Sequence, residues 1–194
     1  MPPKVKITKE MIVDAAFDII RSEGAEKITA RRISEVLNCS TQPVLYHFAT
    51  VDEIKEAVYA KVDKYQSSYL MDMTNDYDNP MLVIGLNYIR FAVEESQMFR
   101  FLFQSNEFKG ASLLQLTETD ILAPMLEILQ QETNMSAAQA KEIFTTLLVF
   151  VHGYASFFAN NDMIYKEEEL ILQLTKVFDG AICIAKEKKD EETI

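Results

Sequence analysis

Glycine and proline are scarce in this chain, five of each in 194 residues, and that scarcity narrows the fold more than any other feature. The share is about half the usual one. A many-stranded sandwich or barrel needs a turn every few residues, and the residues that make turns are missing. What remains is an apolar pattern at helical spacing along nearly the whole chain. Hydrophobic residues make up 48 % and charged residues 25 %, enough apolar material for a packed core and too much for a disordered chain. The predicted class is therefore all-α.

Thr8 reads as an N-cap, followed by Ile12, Ala15, Ala16, Ile19 and Ile20 on one face and by Gly24 as a stop, which predicts a helix over about 9–23. Thr29 caps a short second helix whose inner face is Ile33, Val36 and Leu37, ended by Asn38 and Cys39. Ser40 caps a third, with Pro43 tolerated in its first turn and Val44, Leu45 and Phe48 packing inward. A long fourth helix begins at Asp52 and Glu53 with Ile54, Ala57, Val58, Val62 and Tyr65 along one face. Beyond it the pattern predicts one helix over about 80–105 opened by Asn79-Pro80, an irregular or short-helical stretch over 106–117, and helices over about 118–134, 137–160 and 166–186. Ser136 and Gln139 form a capping box, and the charged tail from Lys186 frays. Glu94 and Glu95 read as a solvated helix face.

Two short helices joined by a short turn over 29–48 match the helix-turn-helix unit. In that unit the first residues of the second helix meet base edges in the major groove. Here they are Ser40, Thr41, Gln42 and Pro43. Gln42 suits adenine through paired hydrogen bonds, Thr41 suits a base or a thymine methyl, and Pro43 offers apolar contact only. Arg31 and Arg32 stand one helix earlier, where phosphates would lie, and Tyr46 and His47 suit backbone oxygens. Lys4 and Lys6 belong to a basic arm. The same geometry also occurs in short-helix bundles that never meet DNA.

Charge bears on that choice. The chain carries 19 basic and 30 acidic residues, net −11, which as a whole disfavours binding to a polyanion. Its first 50 residues, however, hold seven bases against six acids, and the remainder holds twelve against twenty-four. Only the N-terminal part is suited to DNA.

The run ITKEMIVDAAFDIIRSEGAEKITARRISEVLNCSTQPVLYHFATVDEIKEAVYA, residues 7–60, resembles the N-terminal domain of TetR-family transcriptional regulators. The resemblance implies an N-terminal three-helix DNA-binding domain over 1–54 and a larger helical ligand-binding and dimerisation domain over 55–194. It implies that Thr29 and Arg31 lie near phosphate or base, that Ser40 to Pro43 form the reading edge, and that Tyr46 and His47 meet phosphates. Two positions depart from the family pattern: Leu45 stands where an aromatic is usual, and Val51 where a base often opens the fourth helix. Weaker non-specific affinity is the expected consequence.

In the C-terminal part Tyr88, Phe91, Met98, Phe99 and Phe103, with Met125, Phe144, Leu148 and His152, form a candidate lining for an apolar ligand cavity. Residue by residue, such aromatic and methionine stripes are more often plain core. The wide apolar faces of the last two helices suggest a two-fold dimer, and hence a palindromic operator. No nucleophile elbow, zinc-protease helix, Walker loop or dinucleotide fingerprint is present, so neither an enzyme nor a cofactor or metal is expected. Two cysteines 144 positions apart, Cys39 and Cys183, fit a reducing cytoplasm. No signal peptide and no uninterrupted apolar run of membrane-spanning length is read. The expectation is a ligand-released repressor acting as a homodimer on double-stranded DNA. The alternative is a helical ligand carrier or protein-interaction module that has lost DNA binding.

Overall fold

The computed structural model describes residues 6–74, 77–104 and 122–191, with side chains of helical residues described up to Glu187. Among these residues the regular elements are all helical: α1 Lys9–Glu23, a single 3₁₀ turn Ala25–Lys27, α2 Ala30–Val36, α3 Thr41–His47, α4 Val51–Leu70, α5 Pro80–Glu94, α6 Ser96–Phe103, α7 Ala123–Thr133, α8 Ala137–Asn160 and α9 Glu167–Glu191. Lys4 and the stretch 106–117 lie outside the described residues, as do 118–121 at the head of the helix expected over 118–134.

The caps read from sequence set most of these boundaries. Thr8 Oγ1 accepts from the Met11 amide, Thr29 Oγ1 from the Arg32 amide, and Asn79 Oδ1 from the Leu82 amide. Both halves of the Ser136–Gln139 capping box form. Gly24 ends α1 at φ +98°, donating to the Ile19 and Ile20 carbonyls. A Cβ there would stand 2.5 Å from the Glu26 carboxylate, so both conformation and space call for glycine. Asn38, at φ 49°, ends α2 in the left-handed region.

The chain divides into two compact units. The first runs through Ser68 and resumes at Glu95 to include α6. Its core is built from Ile12, Ile19 and Ile20 of α1, Ile33, Val44 and Phe48 of the helix-turn-helix, Ile54, Val58 and Val62 of α4, and Met98, Phe99 and Leu102 of α6, all buried. The second unit spans Tyr69–Glu94 and the helices from α7 onward. There α5 packs on α8 and α9, and α7 packs on α8, burying Leu86, Ile89, Phe91, Leu129, Phe144 and Val151 among others. Asn87, itself buried, donates from Nδ2 to the Leu70 and Asp72 carbonyls and so satisfies the C-terminal end of α4.

Several expectations are overturned. The helix expected over 80–105 is two helices broken at Glu95, whose backbone sits at φ −119°, ψ 44°. Glu95 is not solvated: it is 6 % exposed and paired with Arg21. Val36 and Leu45 do not pack inward; they are 43 % and 57 % exposed. On α3 the inward positions are Val44 and Phe48, four apart, and Leu45 is turned a further 100° from Val44. On α2, Ser34 takes the buried place beside Ile33, its hydroxyl donating to the Arg31 carbonyl. Ser40 holds the N-cap position of α3 but makes no side-chain capping bond. The last helix continues to Glu191 instead of fraying from Lys186. Finally, α8 is long and apolar enough by length and composition to cross a membrane, with a mean hydropathy of 1.4 over 18 residues. Lys141, Glu142 and His152 interrupt its apolar runs, so no unbroken run of that length stands in the sequence. Ile143, Phe144, Leu147 and Val151 on this helix are buried within the second unit.

Candidate nucleic-acid interface

The turn from Leu37 to Ser40 is fixed by backbone bonds. The Cys39 amide donates to the Ser34 carbonyl at 2.9 Å and the Asn38 amide to the Glu35 carbonyl at 3.2 Å. These tie α3 to the end of α2. With Val44 and Phe48 buried, the opposite face of α3 presents Thr41, Gln42, Leu45 and Tyr46, all exposed, with Tyr46 at 83 %. Ser40 is exposed and Pro43 half-buried. Following α3, the Thr50 hydroxyl accepts from the Glu53 amide while the Glu53 carboxylate accepts from the Ala49 amide, a reciprocal cap that starts α4.

The basic residues are placed differently from one another. Arg31 is 87 % exposed and pairs with Glu35 one turn on, at 3.1 Å, a contact of the kind worth least in water. Arg32 is held more firmly. Its Nε and Nη2 both donate to the Glu23 carboxylate, at 3.1 and 2.6 Å, and Nη1 reaches Glu35. The bond from Arg32, opposed by burial, keeps the Glu23 carboxyl below its ordinary range. Arg32 thus joins the end of α1 to α2. Thr29, expected near phosphate, spends its hydroxyl on the cap of α2. Lys6 is exposed. The His47 ring donates from Nε2 to the Ile7 carbonyl at 2.9 Å, so the end of α3 holds the segment just before α1. Tyr46 stands edge-on to the same ring, 5.1 Å between centroids.

Behind this face the first unit is braced by ions. Glu95 Oε2 accepts from Arg21 Nε at 3.0 Å, Oε1 accepts from Arg21 Nη2, and Oε1 also accepts from the Tyr65 hydroxyl at 3.0 Å. Tyr65 stacks edge-on with Phe17 at 5.5 Å, and Lys61 pairs with Asp14. Sequence reading found none of these partners, because each links residues distant in sequence. The only local signal was a pair of adjacent acids inside an apolar run.

The nine candidate ligand residues fall into two sets. Met98, Phe99 and Phe103 lie on α6 in the first unit, with Phe99 and Phe103 in ring contact at 4.9 Å. Tyr88, Phe91, Met125, Phe144, Leu148 and His152 lie in the second unit. There Tyr88 and His152 share a hydrogen bond of 2.9 Å between the hydroxyl and Nδ1. Burial pushes the Tyr88 hydroxyl well up and the His152 imidazole down, so both stay neutral near pH 7. Phe91 meets Tyr69 edge-on at 5.4 Å.

No protein-family model and no curated protein matches the sequence. Solved structures do match its fold. A TetR-family transcriptional regulator from Streptomyces coelicolor is 12 % identical, with 98 % of this chain and 86 % of that one covered at a TM-score of 0.72. Two looser likenesses are AlkX, a TetR-family repressor from Dietzia (14 % identical, 94 % of this chain and 99 % of that one covered, TM-score 0.48), and SmeT, the repressor of a Stenotrophomonas maltophilia efflux pump (16 %, 92 % and 90 %, TM-score 0.46). The helix-turn-helix at the N-terminus, the helical remainder and the full-length superposition together give this chain the fold of a TetR-family transcriptional regulator.

Proposed function

We propose that the chain is a DNA-binding transcriptional regulator, a repressor that binds a palindromic operator as a dimer and is released by a small, mostly apolar ligand. The observation that carries this reading is the outward face of α3, with Thr41, Gln42 and Tyr46 exposed while Val44 and Phe48 are buried. DNA reading is assigned to residues 1–54 and ligand binding and dimerisation to 55–194. Arg31 is the phosphate contact best placed to act, since its pairing with Glu35 is exposed and cheap to exchange. Arg32 positions α2 through Glu23. His47 positions the segment that carries Lys6, and Lys4 is assigned to the same DNA contact from its charge alone.

The dimer is assigned to the last two helices because they leave large apolar side chains in water: Val149 and Phe157 on α8, Leu172 and Ile184 on α9. Among the described residues, nothing lies within 4 Å of a Cβ placed at Gly153 or Gly180, both mid-helix. A glycine there weakens its helix by about 1 kcal/mol without easing a contact among the described residues, which suits close approach of a second copy. In the ligand site, the neutral Tyr88–His152 pair is the polar anchor within an apolar lining. A ligand releases DNA only by binding one conformer better than the other. Action in the cytoplasm follows from this reading.

A second reading, a helical carrier without DNA binding, is favoured by one observation: both arginines of α2 already hold glutamate partners. A mobility shift at low salt with the DNA upstream of the protein's own gene separates the two. A shift that is lost in Gln42→Ala/Tyr46→Ala supports the regulator; no shift at any concentration supports the carrier. Sedimentation of Phe157→Asp tests the dimer, with monomer as the expected result.

A further inference from the structure

The outward face of α3 carries one large apolar side chain among polar ones. Leu45 is 57 % exposed, four residues after Thr41 and three after Gln42, so the three share a face. No acidic residue occurs from Asn38 to Thr50, and nothing on this face repels a duplex. We propose that Leu45 is a specificity-determining residue that packs against the 5-methyl group of a thymine, beside the base that Gln42 reaches. The inference rests on the DNA-binding reading.

The occupant follows from the chemistry of the major groove. Base edges there present hydrogen-bond donors, acceptors and a single apolar group, the thymine methyl. A leucine set against any other edge would cover a polar group and give it no partner, which costs free energy. Set against thymine, it removes apolar area of both partners from water. Leu45 therefore both favours thymine and disfavours the alternatives at one position of each half-site. A surface for another protein is the poorer match, because the neighbours of Leu45 on this face, Thr41, Gln42 and Tyr46, all carry polar groups.

The test uses the full-length chain. Duplexes enriched by the wild type from a random library are remade with each thymine replaced singly by deoxyuridine, which removes only the methyl group. At one position per half-site the wild type should lose about fourfold in affinity. Leu45→Met should keep most of that loss, and Leu45→Ala should bind the two duplexes equally. Equal melting temperatures of the three proteins are expected, since the side chain is exposed. An enriched duplex with no methyl effect, or with the same effect in wild type and Leu45→Ala, overturns the Leu45 assignment and leaves the DNA reading standing. Enrichment of no duplex overturns both.

Discussion

The two units of this molecule are held together by different means. In the first, helices are pinned by ion pairs between elements: Arg21 with Glu95, Arg32 with Glu23, Lys61 with Asp14. In the second, three long helices and α7 bury a broad apolar surface, and Glu167 accepts from Arg90 at 2.6 Å and from Tyr77 and Tyr165 at 3.0 Å. The difference is one of demand. Two of these pairs fasten the short helices α2 and α6, which offer little apolar area each, so directional bonds add to their geometry. Long helices fix one another by packing, and what they leave exposed is apolar as well.

The largest effect should come from the packed unit. Phe91→Ala is expected to cost about 4 kcal/mol by urea unfolding, because the ring is fully buried. A cost below about 1 kcal/mol would break the claim that packing governs this region. Next, Arg21→Met should cost about 3 kcal/mol, since it leaves the buried Glu95 carboxylate without its cation. Glu94→Ala, one residue before Glu95, should cost no more than about 0.5 kcal/mol, because Glu94 is exposed and, among the described residues, accepts from Tyr69. Equal costs for Arg21→Met and Glu94→Ala would erase the contrast. For the reading face, Arg31→Ala should lower the slope of log affinity against log salt by about one, whereas Gln42→Ala should lower affinity about tenfold and leave the slope unchanged.

The smallest effect is a pH dependence. Burial works against the charge on Glu167, but the bonds from Arg90, Tyr77 and Tyr165 prevail and hold its carboxyl below the ordinary range. A depressed pKa stabilises the fold above the unfolded value, about 4.3, and that contribution fades as pH falls through the folded value. Wild type and Glu167→Gln should therefore differ in melting temperature at pH 6 and converge as the pH falls through the depressed folded value. A gap that persists in acid would assign the role of Glu167 to shape instead of charge.

Local signals were legible in the sequence and long-range ones were not. Thr8, Thr29, Asn79 and Ser136 announced their helices because a cap bonds within three residues. The helix-turn-helix was legible for the same reason. The break at Glu95 was not, because what draws that residue out of helical line is an arginine 74 positions away. Leu45 is apolar yet faces outward, because 3.6-residue spacing sets it beside Thr41 and Gln42, so polarity alone gives its direction wrongly. In the candidate ligand set, composition could say that Tyr88 and His152 were aromatic and central, but not that they share a hydrogen bond.

The return of the chain to the first unit at Glu95 bears on how this protein can be taken apart. A fragment cut after the helix-turn-helix would lose Tyr65, Glu95 and the aromatic residues of α6, and would leave Arg21 and one side of α1 facing solvent. Anyone wishing to transplant the first unit onto another protein must carry two separated pieces of polypeptide, or design a substitute for the second.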